Sequence, residues 1–238
     1  MKYDLIIPCA EKDYVKLPIC IEKCMENLRP APENVYIICK FPLRLAGTEV
    51  IVEDSVFEFG AADIKYKRPH WIYQQIIKLC QDFTVNDYYF CVDADIFFLK
   101  PLELFKKDKP VFHLTLPQHH EPYFNFMKEV FDLEKQVDHS FIADFTMFNK
   151  KICREFIPDA RWFLEVINQC VSDDCLVGEP EIYGNYLAKH YPGSYHINKL
   201  NALMSGRYMP CFYRSEEIRD KIDTAPEDVD LIALHSWT

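Results

Sequence analysis

Residues Tyr88–Val92 form an unbroken apolar run, and two carboxylates, Asp93 and Asp95, follow it at once. A strand that is apolar at every position is buried on both faces, as in a mainly parallel sheet covered by helices. Open sheets of that kind bind ligands outside the carboxyl ends of their strands, which is where this run delivers its two Asp side chains. Hard oxygen ligands there suit Mg²⁺ or Mn²⁺. An Asp-x-Asp triplet also arises by chance, and two Asp after a strand can simply shape a turn. Spacing alone leaves metal binding and turn formation evenly matched.

The rest of the chain supplies such a sheet. Residues 3–9, 34–40 and 49–52 read as short apolar strands, and residues 14–28 between the first two have helical spacing. In residues 71–83, Ile72, Ile76, Leu79, Cys80 and Phe83 fall on one helical face, with Gln74, Gln75 and Lys78 opposite. Residues 111–116, 141–148 and 231–234 read as later strands, and 161–171 and 181–190 as helices. Alternation of this kind predicts an α/β fold with a mainly parallel central sheet flanked by helices. The 238 residues suit one domain, 1–238, with no repeat and no linker.

Charge narrows the function classes. A formal net charge of -10 disfavours nucleic-acid and anionic-membrane partners. An anionic substrate then needs a local cation, which a bound Mn²⁺ or Mg²⁺ would provide. The ten cysteines show no CxxC spacing; Cys20 and Cys24 are one helical turn apart, and Cys170 and Cys175 are five apart. Cys39, Cys80 and Cys91 sit among apolar residues, where a reduced thiol acts as a small hydrophobe. With no signal-peptide pattern and no long apolar span, the expectation is a reduced, cytoplasmic protein without a transmembrane segment.

Residues 90–101, FCVDADIFFLKP, resemble the DxD region of GT-A-fold glycosyltransferases. Residues 70–79, HWIYQQIIKL, are similar to the helix before that strand in a group of small bacterial and viral glycosyltransferase-like proteins. HSFIADFTMFNK and GEPEIYGNYL resemble later blocks of the same group, in order along the chain from Tyr3 to Trp237. Two departures are visible: Asp144-Phe145 stands where the group carries a pair of histidines, and Gly-Glu-Pro-Glu where Ser-Glu-aromatic-Glu is commoner.

The resemblance implies a GT-A-like single domain, residues 1–100 holding the nucleotide and 101–238 the acceptor. It implies transfer of a sugar from a nucleotide-diphosphate sugar, expected to be a UDP-sugar, to a hydroxyl of a glycan or other acceptor. Inversion by direct displacement is expected, with retention left open. Asp95 would bind the metal and Asp93 the metal or ribose, with Ala94 between them. His235, after the last strand, would be a third ligand; a lone terminal His is more often simply exposed. The loop of Pro8, Cys9 and Ala10 would cradle uracil and ribose, and Lys67, Arg68, Gln74 or Lys78 would reach phosphate or sugar. For the base, Glu179 or Glu181 at a helix start is expected, with Asp144 as rival. Acidic residues in a first helical turn also have a plain explanation as partners of the helix dipole.

Other classes stay in view. A non-catalytic carbohydrate- or nucleotide-sugar-binding module would share the fold. A DxD phosphohydrolase would need its strand early in the chain, whereas some ninety residues precede this one. A sugar-nucleotide pyrophosphorylase would need a Gly-rich loop after the first strand, and residues 8–13 contain no Gly.

Overall fold

The computed structural model describes residues 1–115, 119–170, 177–205 and 213–235. Its elements follow in the order β1 (Tyr3–Cys9), α1 (Leu17–Asn27), β2 (Leu28–Arg29), β3 (Asn34–Cys39), β4 (Glu49–Val52), α2 (Pro69–Cys80) and β5 (Tyr88–Val92). The middle of the chain adds β6 (Ile96–Phe98), β7 (Leu102–Glu103), β8 (Phe105–Lys106), β9 (Lys109–Leu114), α3 (Glu121–Phe131) and β10 (Phe145–Asn149). The remainder forms α4 (Lys150–Phe156), α5 (Ala160–Gln169), α6 (Glu179–His190), β11 (His196–Lys199), β12 (Ala202–Ser205), α7 (Ser215–Asp223) and β13 (Leu231–Leu234).

The central sheet has the order β10-β5-β1-β3-β4 and is parallel except for the edge strand β10. Strand side chains alternate between faces, and both faces are covered. Ile6, Tyr36, Ile38, Tyr89, Cys91 and Phe148 enter one core with α2 and α6. Leu5, Ile7, Ile37, Phe90, Val92 and Met147 enter the other with α1 and β13. That double cover is why the strands read as continuous apolar runs. Asp4, buried in β1, is matched by Asn34 Nδ2 and by the backbone N and Nδ2 of Asn86, all at 2.8 Å.

From β1 the chain moves outward to β3 and β4, then returns to place β5 on the other side of β1. The direction of winding therefore switches between β1 and β5, and the crevice at their carboxyl ends is the place where such sheets take ligands. Ile6 lies opposite Cys91; two residues further along each strand come Pro8 and Asp93. A second sheet, β12-β13-β6, continues from that edge, with β13 antiparallel to β6 and Ala233 opposite Ile96.

Several boundaries differ from the sequence reading, among them α2, which ends at Cys80 and leaves Phe83 outside the helix, and three have local reasons. The strand expected over 141–148 begins only at Phe145, because Ser140 and Phe141 bond to Glu181 instead of to a ladder. Asp144 therefore precedes the strand rather than standing in its middle. The helix expected from 181 starts at Glu179, with Pro180 in its first turn, where the missing N–H costs nothing. Helix α5 starts at Ala160 because Asp159 caps it, Oδ1 accepting from Trp162 N at 2.7 Å. Leu116, Val171, Cys175 and Trp237 lie outside the described residues.

The described cysteines are free thiols, most of them buried. Among the described residues no helix is long and apolar enough to cross a membrane.

Candidate active site

The carboxyl end of β5 gathers the candidate residues from four parts of the chain. Asp93 N donates to Asp144 O at 2.9 Å, so the approach to β10 is stitched to the first residue after β5. Leu234 N donates to Asp95 O at 3.0 Å, extending the β6–β13 pairing by one step. That step sets His235 beside Asp95, with Nδ1 3.3 Å from Asp95 Oδ2. The same ring's Nε2 stands 3.6 Å from Asp144 Oδ2. His235 is thus held between two carboxylates.

Lys78 forms the other half. Its ammonium lies 2.9 Å from Asp93 Oδ1 and 2.8 Å from Glu179 Oε1, with only 5% of the side chain exposed. Helix α2 is buried nearly all round, Gln75 and Lys78 included. Of the polar face expected on this helix, Lys78 is inside the protein facing carboxylates, Gln75 is buried with Nε2 donating to Trp71 O at 3.2 Å, and Gln74 is half-buried. Buried charges persist when paired and hydrogen-bonded, and here two anions share one cation.

Burial raises the Asp93 and Glu179 carboxyls above their ordinary range, and Lys78 opposes the shift in both. Burial acts to lower Lys78, but the two carboxylates outweigh it and hold the ammonium well above its usual value. Asp144 is pushed up to about 7 by burial and by the Asp93 and Asp95 charges, against the pull of His235. For His235, burial is outweighed by the bond to Asp95 and the charges of Asp144 and Asp93, which raise it to about 9. Four carboxylates face two cations, so the fully ionised cluster carries a surplus of two negative charges.

A divalent cation would cancel that surplus. Donors at right angles around Mg²⁺, each about 2.1 Å away, stand about 3 Å apart; the Asp95 and His235 atoms at 3.3 Å match such a pair. A ligating histidine commonly turns its other nitrogen to a carboxylate, the position Asp144 occupies. Among the described residues no group of three or more His, Cys, Asp or Glu converges as a ligand cluster. Asp93, expected in such a set, turns to Lys78 instead.

The remaining candidates are more scattered. Pro8 and Cys9 are buried at the end of β1, and Ala10 is half-buried beyond them. Ala94 is buried, Gln74 half-buried on α2, and Lys67 exposed. Arg68 is exposed with its guanidinium 5.1 Å from the Trp71 ring centre. Glu181 is buried away from the cluster, bonded to Ser140, Phe141 and Asn185. Two supporting residues escaped the sequence reading. Lys16 Nζ donates to Leu234 O at 2.7 Å, beside His235, and pairs with Asp13 at 2.6 Å. The Cys20 thiol lies 3.8 Å from Asp93 O. Neither carries a sequence signal, since each depends on a partner more than seventy positions away.

The shared lysine leads to a stability test. Lys78→Met should leave Asp93 and Glu179 facing each other without a cation and cost about 3 kcal/mol, the low end for breaking a buried pair. For a chain of this size that lowers Tm by about 10 °C. Both carboxyls titrate above their ordinary range, so protonation relieves the repulsion as pH falls. The loss should be larger at pH 8 than at pH 5. A pH-independent drop of under about 2 °C would show that the pair contributes little.

Comparison with known proteins agrees on the architecture. The model of a family described as "Family of unknown function (DUF6492)" matches residues 34–157, just over half of the chain. No curated protein matches. A crystal structure of an active-site mutant of LgtC is similar over 99% of this chain and 88% of its own, with 12% identity and a TM-score of 0.50. A crystal structure of the galactosyltransferase LgtC with donor and acceptor sugar analogues gives 97% and 86% coverage, 13% identity and a TM-score of 0.48. The fold is therefore GT-A-like, a mixed α/β architecture around a mainly parallel sheet.

Proposed function

The chain belongs to this family of unknown function, and from its site we propose that it is a metal-dependent glycosyltransferase. In this reading it moves a sugar from a nucleotide-diphosphate sugar, a UDP-sugar by the resemblance of its DxD region, to an acceptor hydroxyl. The observation that supports it most is the Asp95–His235 pair, 3.3 Å apart, at the switch point of a GT-A-like sheet. Mg²⁺ in particular is usually held by one or two carboxylates plus substrate phosphates rather than by an all-protein cage.

Asp95 and His235 would hold the Mn²⁺ or Mg²⁺. The ion would supply positive charge to the departing diphosphate. Asp144 Oδ2 faces the other nitrogen of the His235 ring from 3.6 Å. Lys78 fixes the Asp93 carboxylate, which leaves its exposed portion turned to ribose or sugar. The loop of Pro8, Cys9 and Ala10, beside β5 at the switch point, would cradle uracil and ribose, with Lys67 and Gln74 at the rim. The acceptor oxygen forms a bond to the anomeric carbon as the carbon–phosphate-oxygen bond breaks, and its proton passes to a carboxylate. Asp144 fits that task best: 30% of its side chain is exposed, against 8% for Glu179.

UDP should stabilise the protein against heat with Mn²⁺ or Mg²⁺ present and not in excess EDTA. At a hundred times Kd the gain is about 2.7 kcal/mol, or roughly 5–10 °C in Tm. Equal stabilisation in EDTA would remove the metal bridge. No stabilisation by UDP, GDP or their sugars under any condition would remove the donor class altogether.

A further inference from the structure

One buried face of α6 carries three residues that the proposed chemistry leaves unused. Glu181, Gly184 and Asn185 are spaced i, i+3 and i+4, which places them together on the helix surface. Glu181 is 0% exposed. Its Oε1 accepts from Ser140 Oγ at 2.6 Å and from Phe141 N at 2.9 Å, and its Oε2 from Asn185 Nδ2 at 2.8 Å. Asn185 Oδ1 accepts from Gln136 N at 2.7 Å, and Ser140 Oγ from Ile142 N at 3.0 Å. The Phe141 ring lies so close to Gly184 that a Cβ there would stand 2.3 Å from it. The segment from 136 to 142 is thereby fastened to the helix, and two residues later comes Asp144. The carbonyl of Asp144 accepts from Asp93 N, while Glu179, in the first turn of the same helix, holds Lys78.

We infer that Glu181, with Gly184 and Asn185, is a clamp that positions Asp144 against the Asp93–Asp95 edge, so that Glu181 serves turnover without touching substrate. The inference rests on the glycosyl transfer proposed above. The hydrogen bonds define what the position requires. All three partners of the Glu181 carboxylate are donors, so the site needs a group that only accepts. A Gln would turn its NH₂ either to the Ser140 and Phe141 donors or to Asn185 Nδ2. Flipping Asn185 to accommodate the second case would withdraw Oδ1 from Gln136 N. One donor is left unmatched either way, and the segment leading to Asp144 is loosened.

The test separates positioning from stability. Hydrolysis of UDP-glucose, UDP-galactose and UDP-N-acetylglucosamine with Mn²⁺ is measured at 20 °C for the wild type, Glu181→Gln, Ser140→Ala and Leu187→Ala. Leu187 is buried on the same helix but lies outside the clamp. Glu181→Gln and Ser140→Ala should lower kcat by about ten- to a hundredfold, the cost of a displacement near 1 Å. Their donor KM should stay within about twofold, because ground-state donor binding is left intact. Leu187→Ala should lower Tm at least as much with kcat unchanged. If Glu181→Gln does not fold, Ser140→Ala carries the comparison, since it removes the hydroxyl that links the carboxylate to Ile142 N and leaves the carboxylate itself. A lower Tm with wild-type kcat in both clamp variants would make Glu181 a purely structural residue and overturn the inference. A wild type that hydrolyses none of the three donors would instead strike the proposed function, and this inference with it.

Discussion

Asp95→Asn is expected to lower sugar transfer by at least about a thousandfold while the fold persists. Asn keeps the size and one oxygen, so the contacts around Asp95, which is 9% exposed, are preserved. What disappears is the charge. The substitution takes away the anionic member of the Asp95–His235 pair, and with it the proposed grip on a divalent cation. Metal ions contribute several kcal/mol of charge stabilisation in such reactions, and each 1.36 kcal/mol is a factor of ten in rate. The UDP-dependent rise in Tm with Mn²⁺ should vanish in the same variant. Circular dichroism and the melting curve without ligand establish that the protein is folded. Turnover within tenfold of the wild type would reduce Asp93-Ala94-Asp95 to a turn.

Asp144→Asn should lower kcat by roughly two to four orders of magnitude, the span for loss of a general base, with UDP affinity retained. The matching Glu179→Gln change should act mainly on stability. The contrast follows from accessibility. Glu179 is 8% exposed and its Oε1 is engaged by Lys78 at 2.8 Å, so an acceptor hydroxyl has little route to it. Asp144 is 30% exposed and its partner, the His235 ring, lies 3.6 Å away. Single-turnover kinetics separate the loss of chemistry from product release. Loss of turnover in Glu179→Gln alone, with Asp144→Asn active, would return the base to the start of α6.

Much of the architecture was legible because the strands β1, β3 and β5 are covered on both faces and therefore apolar at nearly every position. The acidic pair after β5 was legible as the abrupt appearance of charge where the apolar run ends. Helix α2 was located but its polar side was misjudged. Gln75 and Lys78 have the spacing of a solvated face, and for Lys78 only carboxylates fifteen and a hundred and one positions away make burial tolerable. Helix α7 was passed over because Ile218 is its only buried residue, too little apolar pattern to register. At the start of α6 the sequence offered two glutamates. Two residues apart on a helix is about 200° of rotation, so both cannot serve one site. Glu179 faces Lys78, and Glu181 faces Ser140. Distinguishing them requires knowing what lies on each side.

The union of Asp95 with His235 spans 140 positions of sequence, and this has a bearing on how the molecule is made. Every parallel strand of the central sheet lies within residues 1–92, so that this part of the protein is synthesised long before residues 231–235. Folding during synthesis proceeds from the amino-terminal end, and the nascent sheet would display Asp93 and Asp95 with no histidine to meet them. Only when β13 zips alongside β6 does the last piece arrive. The meeting of Asp95 with His235 is thus a late event in synthesis, later than the sheet that carries Asp95.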